Sequence, residues 1–149
     1  RIFTRKGHCI QCDTSKIRFS TGFSASGFVY IASTKKGQLL KVGCTSDPEN
    51  RAITLNTEGG YAGFDDWTLI AYAKTKNMGQ VEFDIVKPIE DMVVTLEYVR
   101  AGKVQTTREA LRGSLRKVWP AYQAAIAKVA KPDRWQHHRI SDFDFFPNG

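Results

Sequence analysis

The apolar positions gather first into two short runs, "FVYIAST" from Phe28 to Thr34 and "QLLKVG" from Gln38 to Gly43, separated by the polar "KKG". β-Branched and aromatic residues crowd both runs, and a short glycine-containing turn between them predicts a β-hairpin. Asp47 then offers a capping side chain, Pro48 suits the first helical position and Glu49 favours the positive helix end, so a helix is predicted from Pro48 to Asn56. Past the Gly-rich "NTEGGYAGFDD", the segment "DWTLIAYAK" alternates as a third strand, while Met78, Val81, Ile85 and Ile89 recur at helical spacing. Pro88 is expected to end or bend that second helix.

Further on, "VVTLEYVRAGKVQT" reads as a pair of short strands around "RAGK". Thr106 with Glu109 forms a capping box, and Leu111, Leu115, Val118, Tyr122, Ile126 and Val129 make a stripe that predicts a long last helix to about residue 130. Pro120 inside it predicts a kink or break. The aromatic tail, with Trp135, Phe143, Phe145 and Phe146, is expected to fold back onto the body, because so much exposed aromatic surface is costly.

These elements predict an α+β fold: a small three-stranded antiparallel sheet flanked by helices, with a C-terminal helical extension. The core spans 27–92 and the extension, a short hairpin, long helix and tail, spans 93–149. A basic N-terminal arm, 1–26, is set off by the linker-like "FSTGFSASG".

Composition narrows the function. A chain of 149 residues with 42% hydrophobic residues can bury a core of its own. Its 22 Lys and Arg outnumber 15 Asp and Glu, and the net charge of +7 is the long-range field of a protein that meets a polyanion. DNA is the expected partner, with RNA left open. No apolar stretch approaches the roughly 20 residues of a membrane span, and the first residues lack the apolar centre of a secretory signal, so the cytoplasm is the expected compartment. Three cysteines are too few for a disulfide scaffold. Cys9 and Cys12 have the spacing of half a zinc site, which Cys44, His8, His137 and His138 would have to complete; the plain alternative is a pair of reduced thiols. Oligomeric state is not legible from the sequence.

The chemistry centres on the hairpin. Tyr30, Lys41 and Arg51 come from a strand, its neighbour and the helix that follows, so their polar tips can converge on one patch of sheet. Glu82, flanked by Val81 and Ile85, adds a carboxylate where the second helix meets that sheet. A proton-accepting tyrosine or lysine, an arginine for phosphate oxygens and a carboxylate for Mg²⁺ suffice for cutting a phosphodiester. Singly, each is more simply a strand aromatic, a snorkelling lysine, a solvated arginine or half of a surface ion pair; convergence is what shifts the balance.

The triplet "FVY", the Gly43 of "KVG" thirteen residues after Tyr30, and Arg51 eight residues further resemble the GIY-YIG nuclease family. The likeness covers roughly residues 27–92 and is greatest to the short phage and bacterial branch, in which a KIG-like triplet stands for YIG. It implies a three-stranded antiparallel sheet and metal-dependent endonuclease activity, DNA being cut by activated water without a covalent intermediate. Tyr30 then matches the tyrosine that serves as general base or orients the water, and Lys41 replaces the second tyrosine in a base or phosphate-neutralising role. Arg51 matches the arginine that stabilises the scissile phosphate, and Glu82 the single glutamate that binds Mg²⁺ or Mn²⁺. Phe28 stands where the family has Gly, and Val86 where the branch often has His. On this reading Lys35, Lys36, Lys74, Lys76 and a helical row of Arg108, Arg112 and Arg116 form the phosphate track. A catalytically inactive nucleic-acid-binding module is the alternative, and a protein-interaction domain with incidental charge the blandest one.

Overall fold

The predicted hairpin forms: β1 (Gly27–Thr34) pairs antiparallel with β2 (Leu39–Thr45). The computed structural model describes residues 25–129 and 133–145; His8, the Cys9 and Cys12 pair and Phe146 lie outside the described residues. Asp47 caps α1 (Pro48–Thr54) by accepting the Asn50 amide at 3.1 Å. Two 3₁₀ turns, Thr57–Gly59 and Tyr61–Gly63, lead to β3 (Thr68–Thr75), which pairs antiparallel with β1. The second predicted helix is α2 (Met78–Val86), and it gives way to a 3₁₀ turn, Lys87–Met92, where Pro88 was expected to end it.

The sheet is larger than the sequence predicts. It has six strands, all paired antiparallel, in the order β4-β5-β2-β1-β3-β6, rather than three. The first added pair is β4 (Val93–Arg100) and β5 (Lys103–Leu111), joined through Ala101 and Gly102, whose φ values of 53° and 77° make the left-handed two-residue connection suited to strand twist. This corrects the predicted start of the long helix. The Thr106 and Glu109 "capping box" lies within β5, where Val104, Thr106 and Thr107 favour extended backbone. Thr107 instead accepts the Glu109 amide at 3.2 Å. The helix, α3 (Leu115–Ala127), begins at Ser114, whose hydroxyl accepts the Arg116 amide, and it continues past Pro120 without a break. Arg108, Arg112 and Arg116 therefore share no helix face: Arg108 is on β5, Arg112 in the connection and Arg116 on α3, paired with Asp144.

The sixth strand, β6 (Asp133–Gln136), comes from the aromatic tail, for which the sequence predicts no strand, and it pairs with β3 from Lys74 to Ala71. Phe143, in a last 3₁₀ turn, Ile140–Phe143, folds back and is buried, and Phe145 packs partly against the core.

Alternation along the strands makes two cores. Val29, Ile31, Val42 and Cys44 face α2 and α3, meeting Val81, Ile85, Leu115, Val118 and Ile126. Tyr30, Ala32 and Leu39 face the other way, under Leu55, Tyr61 and Trp67. Burying each large aliphatic side chain contributes about 1.5–3 kcal/mol. On the second face, Arg100 at the end of β4 donates to the Thr54 and Thr57 carbonyls, tying the hairpin to the end of α1. Among the described residues, no helix is long and apolar enough to cross a membrane.

Candidate active site

Tyr30 stands opposite Gly43 in the β1–β2 register, and Lys41 opposite Ala32. The period of two puts Tyr30, Gly43 and Lys41 on the α1 side of the sheet. Arg51 reaches in from α1 and its Nη1 donates to Tyr30 Oη at 3.0 Å, with the guanidinium 5.7 Å from the centre of the Tyr30 ring. Gly43 makes this contact possible, since a Cβ there would lie 2.6 Å from Tyr30 Oη and 2.7 Å from its Cζ. Gly43→Ala is accordingly expected to push the phenol off Arg51 and to lower stability by about 1–3 kcal/mol, the usual range for overpacking. Urea unfolding of the variant checks this, and an unchanged midpoint would contradict it.

Lys41 Nζ lies 3.1 Å from Glu109 Oε1, on β5, and 4.8 Å from the centre of the Tyr61 ring. Burial works against its charge, but Tyr61, Tyr30 and Glu109 outweigh burial and hold its pKa well above the ordinary lysine value. Lys41 is thus a cation at neutral pH. Of the two roles the sequence left open, base or charge neutraliser, its protonation favours the second. Sequence reasoning missed Glu109, because the residue was read as a helix cap. The pairing of β5 with β2, Lys41 opposite Ala110, is what brings it there.

Glu82 approaches from the helix side. Cys44 faces that side, and its one S–H is shared between Glu82 Oε1, 3.3 Å from Sγ, and the Met78 carbonyl at 3.2 Å. Burial first, and then the Glu82 carboxylate, push the Cys44 thiol far above its usual range, so it stays protonated as a donor. Lys41 and Arg51 both act electrostatically on the same thiol. Of the four predicted side chains, Tyr30, Lys41 and Arg51 gather on one face of the sheet, whereas Glu82 reaches β2 from the opposite face, at Cys44. All four are buried, none more than 2% exposed.

A single carboxylate suits Mg²⁺, which keeps several waters and takes further ligands from substrate phosphate. Glu82 is the residue that would hold such an ion, and here it is 2% exposed with its Oε1 3.3 Å from Cys44 Sγ, so the waters of a bound ion require this side of the helix to open. Among the described residues no group of three or more His, Cys, Asp and Glu side chains forms a ready metal cage. Cys44, one candidate for completing a zinc site with Cys9 and Cys12, is instead engaged with Glu82.

The basic residues scatter. Lys35 lies over the Phe143 ring, and Lys36 pairs with Asp65 at the surface. Lys74 and Lys76 line a cleft of about 560 Å³ at the end of β3, with Lys128, Asp84 and Asp133 on its walls.

Buried tyrosines, one at the site and one on α3, set a pH dependence. Burial pushes both the Tyr61 and the Tyr122 phenols up to about 12. Between about pH 10, where an unfolded tyrosine ionises, and pH 12, the unfolded chain loses protons that the native state keeps. Stability must therefore fall as pH rises. Lys41 adds to the same trend, since a raised lysine pKa stabilises fully below the unfolded value and is lost above the folded one. Thermal unfolding midpoints should drop steeply from about pH 10 to 12; a flat profile would contradict this burial.

The model of the T5orf172 domain matches residues 27–119, more than half of the chain. No curated protein and no solved structure matches it.

Proposed function

The chain belongs to the T5orf172 domain family, and from that premise we propose that it is a metal-dependent endonuclease of GIY-YIG type, hydrolysing DNA phosphodiester bonds. The single observation that carries this reading is the buried Arg51 to Tyr30 hydrogen bond of 3.0 Å, set against a glycine that leaves room for it, with the Lys41 cation on the same face. Arg51 takes one lone pair of Tyr30 Oη, so the phenol keeps its O–H and a second lone pair for orienting water. The water oxygen bonds to phosphorus as the bond to the leaving sugar oxygen breaks; the water's proton passes to the free lone pair of Tyr30 Oη as the phenol gives its own proton to solvent, and solvent water protonates the leaving oxygen. Arg51 and Lys41 face the charge that grows on the phosphate oxygens. Glu82 would hold Mg²⁺ or Mn²⁺, which supplies Lewis-acid stabilisation of the phosphate when bound.

Because all four side chains are covered, phosphate must displace something, and Glu109 is the natural candidate. Its carboxylate, 20% exposed, sits against the Lys41 ammonium between that cation and solvent, where a phosphate oxygen would sit. Incubating supercoiled plasmid with Mg²⁺ or Mn²⁺ tests the reading. Nicking by the parent that disappears in Arg51→Ala and Glu82→Gln supports it. Salt-sensitive DNA binding without nicking in the parent supports the second reading, a catalytically inactive binding module, which the closed cluster and the satisfied Lys41 favour.

A further inference from the structure

Strand register continues the row of the candidate site outward. Gly43 pairs with Tyr30, Tyr30 with Tyr72 and Tyr72 with Trp135, so one line crosses β2, β1, β3 and β6 on a single face. Tyr72 and Trp135 stack with ring centres 5.2 Å apart and planes at 29°. Phe28, two residues along β1 from that row and on the same face, meets Tyr72 edge-on at 5.7 Å and Trp135 at 5.9 Å. Lys74, the partner of Phe28 in the register, carries its Nζ 6.0 Å from the centre of the Phe28 ring.

These rings differ from the core beside them. Trp135 is 40% exposed, and Phe28 and Tyr72 are half-buried. All four residues of β6 are exposed, so this strand adds no buried side chain and serves instead to hold the indole against Tyr72. A half-exposed aromatic cluster on an open sheet face, with an ammonium at its rim and in a chain of net charge +7, matches the chemistry of an unstacked nucleobase and its phosphate. Two strand spacings, about 10 Å, separate Trp135 from Tyr30.

We propose that Trp135, Tyr72 and Phe28 form a stacking platform for unpaired nucleobases, with Lys74 taking the adjoining phosphate. The preferred substrate is therefore a single strand, or a duplex locally opened beside the cut. The direction of the bound strand rests on the nuclease reading, since it is Tyr30 that would mark the scissile bond. Binding itself does not rest on it.

Binding of a labelled oligothymidylate, about 12 nucleotides long, is measured in EDTA so that no cutting intervenes. The parent should bind it more tightly than a duplex of equal length. Trp135→Ala should weaken binding roughly 5- to 100-fold, as expected for losing one stacked base, whereas Trp135→Phe retains most of the affinity. Tyr72→Val, which keeps a strand-forming residue in β3, should also weaken binding, guarding against collapse of β6 as the explanation; circular dichroism reports the fold of each variant. No binding, equal affinity for duplex, or unchanged affinity in folded Trp135→Ala and Tyr72→Val overturns the platform. Nicking assayed separately keeps the two readings apart: a platform without nicking refutes only the nuclease, and nicking indifferent to Trp135 refutes only the platform.

Discussion

Arg51→Ala should leave a folded protein whose plasmid nicking falls by about 10²–10³-fold, the usual consequence of losing one donor to transition-state charge. The arginine is 2% exposed, and its Nη1 bond to Tyr30 fixes both groups together. Removing it deletes a positive charge and also loosens the phenol, so the effect should fall mainly on kcat rather than KM. Tyr30→Phe, which keeps the ring and loses the Oη, separates the two contributions. If Arg51→Ala nicks at the parental rate in Mg²⁺, the nuclease proposal is wrong.

Glu109→Ala should cost about 3–5 kcal/mol of folding stability, because it strands a fully buried ammonium. Lys41 has no exposed side-chain surface, and its 3.1 Å bridge to Glu109 joins β2 to β5, strands that share only two register pairs. The Tyr61 ring, 4.8 Å away, returns only part of that cost. The double variant Lys41→Met/Glu109→Leu, which removes both charges at similar volume, should recover most or all of the loss, since apolar replacements of buried ion pairs are often neutral or better. That same protein should no longer nick DNA. Urea midpoints give the stabilities, and a double variant as weak as Glu109→Ala would show that the bridge is not the reason.

The local rules served well where one element could be read alone. Asp47, Pro48 and Glu49 placed α1, and Val81 and Ile85 placed α2 with Glu82 on it. The outer strands were less legible. In "KVQTTREAL" the spacing of Thr106 and Glu109 also satisfies a helix cap, and only the left-handed Ala101 and Gly102 turn with its partner strand decides for β5. Strand β6 has four residues, no apolar alternation and no buried position, so its existence depends on the β3 edge it joins. Glu109 and Trp135 were out of reach for the same reason, since each is placed by pairing between distant segments. The closure of the cluster was equally hidden, because nothing in Tyr30, Lys41 or Arg51 announces the Tyr61 loop that covers them.

The Arg100 contacts at the end of α1 carry one more consequence. A helix of two turns is too short to persist by itself, yet this one is held by Asp47 at its start and by the hairpin guanidinium at its finish. The aim of Arg51 is thereby settled during folding, so that on the proposed nuclease reading the arginine itself has little ordering entropy left to lose when phosphate enters. The distant hairpin acts as a brace, so that severing it would blur the aim of the arginine while leaving the sheet intact.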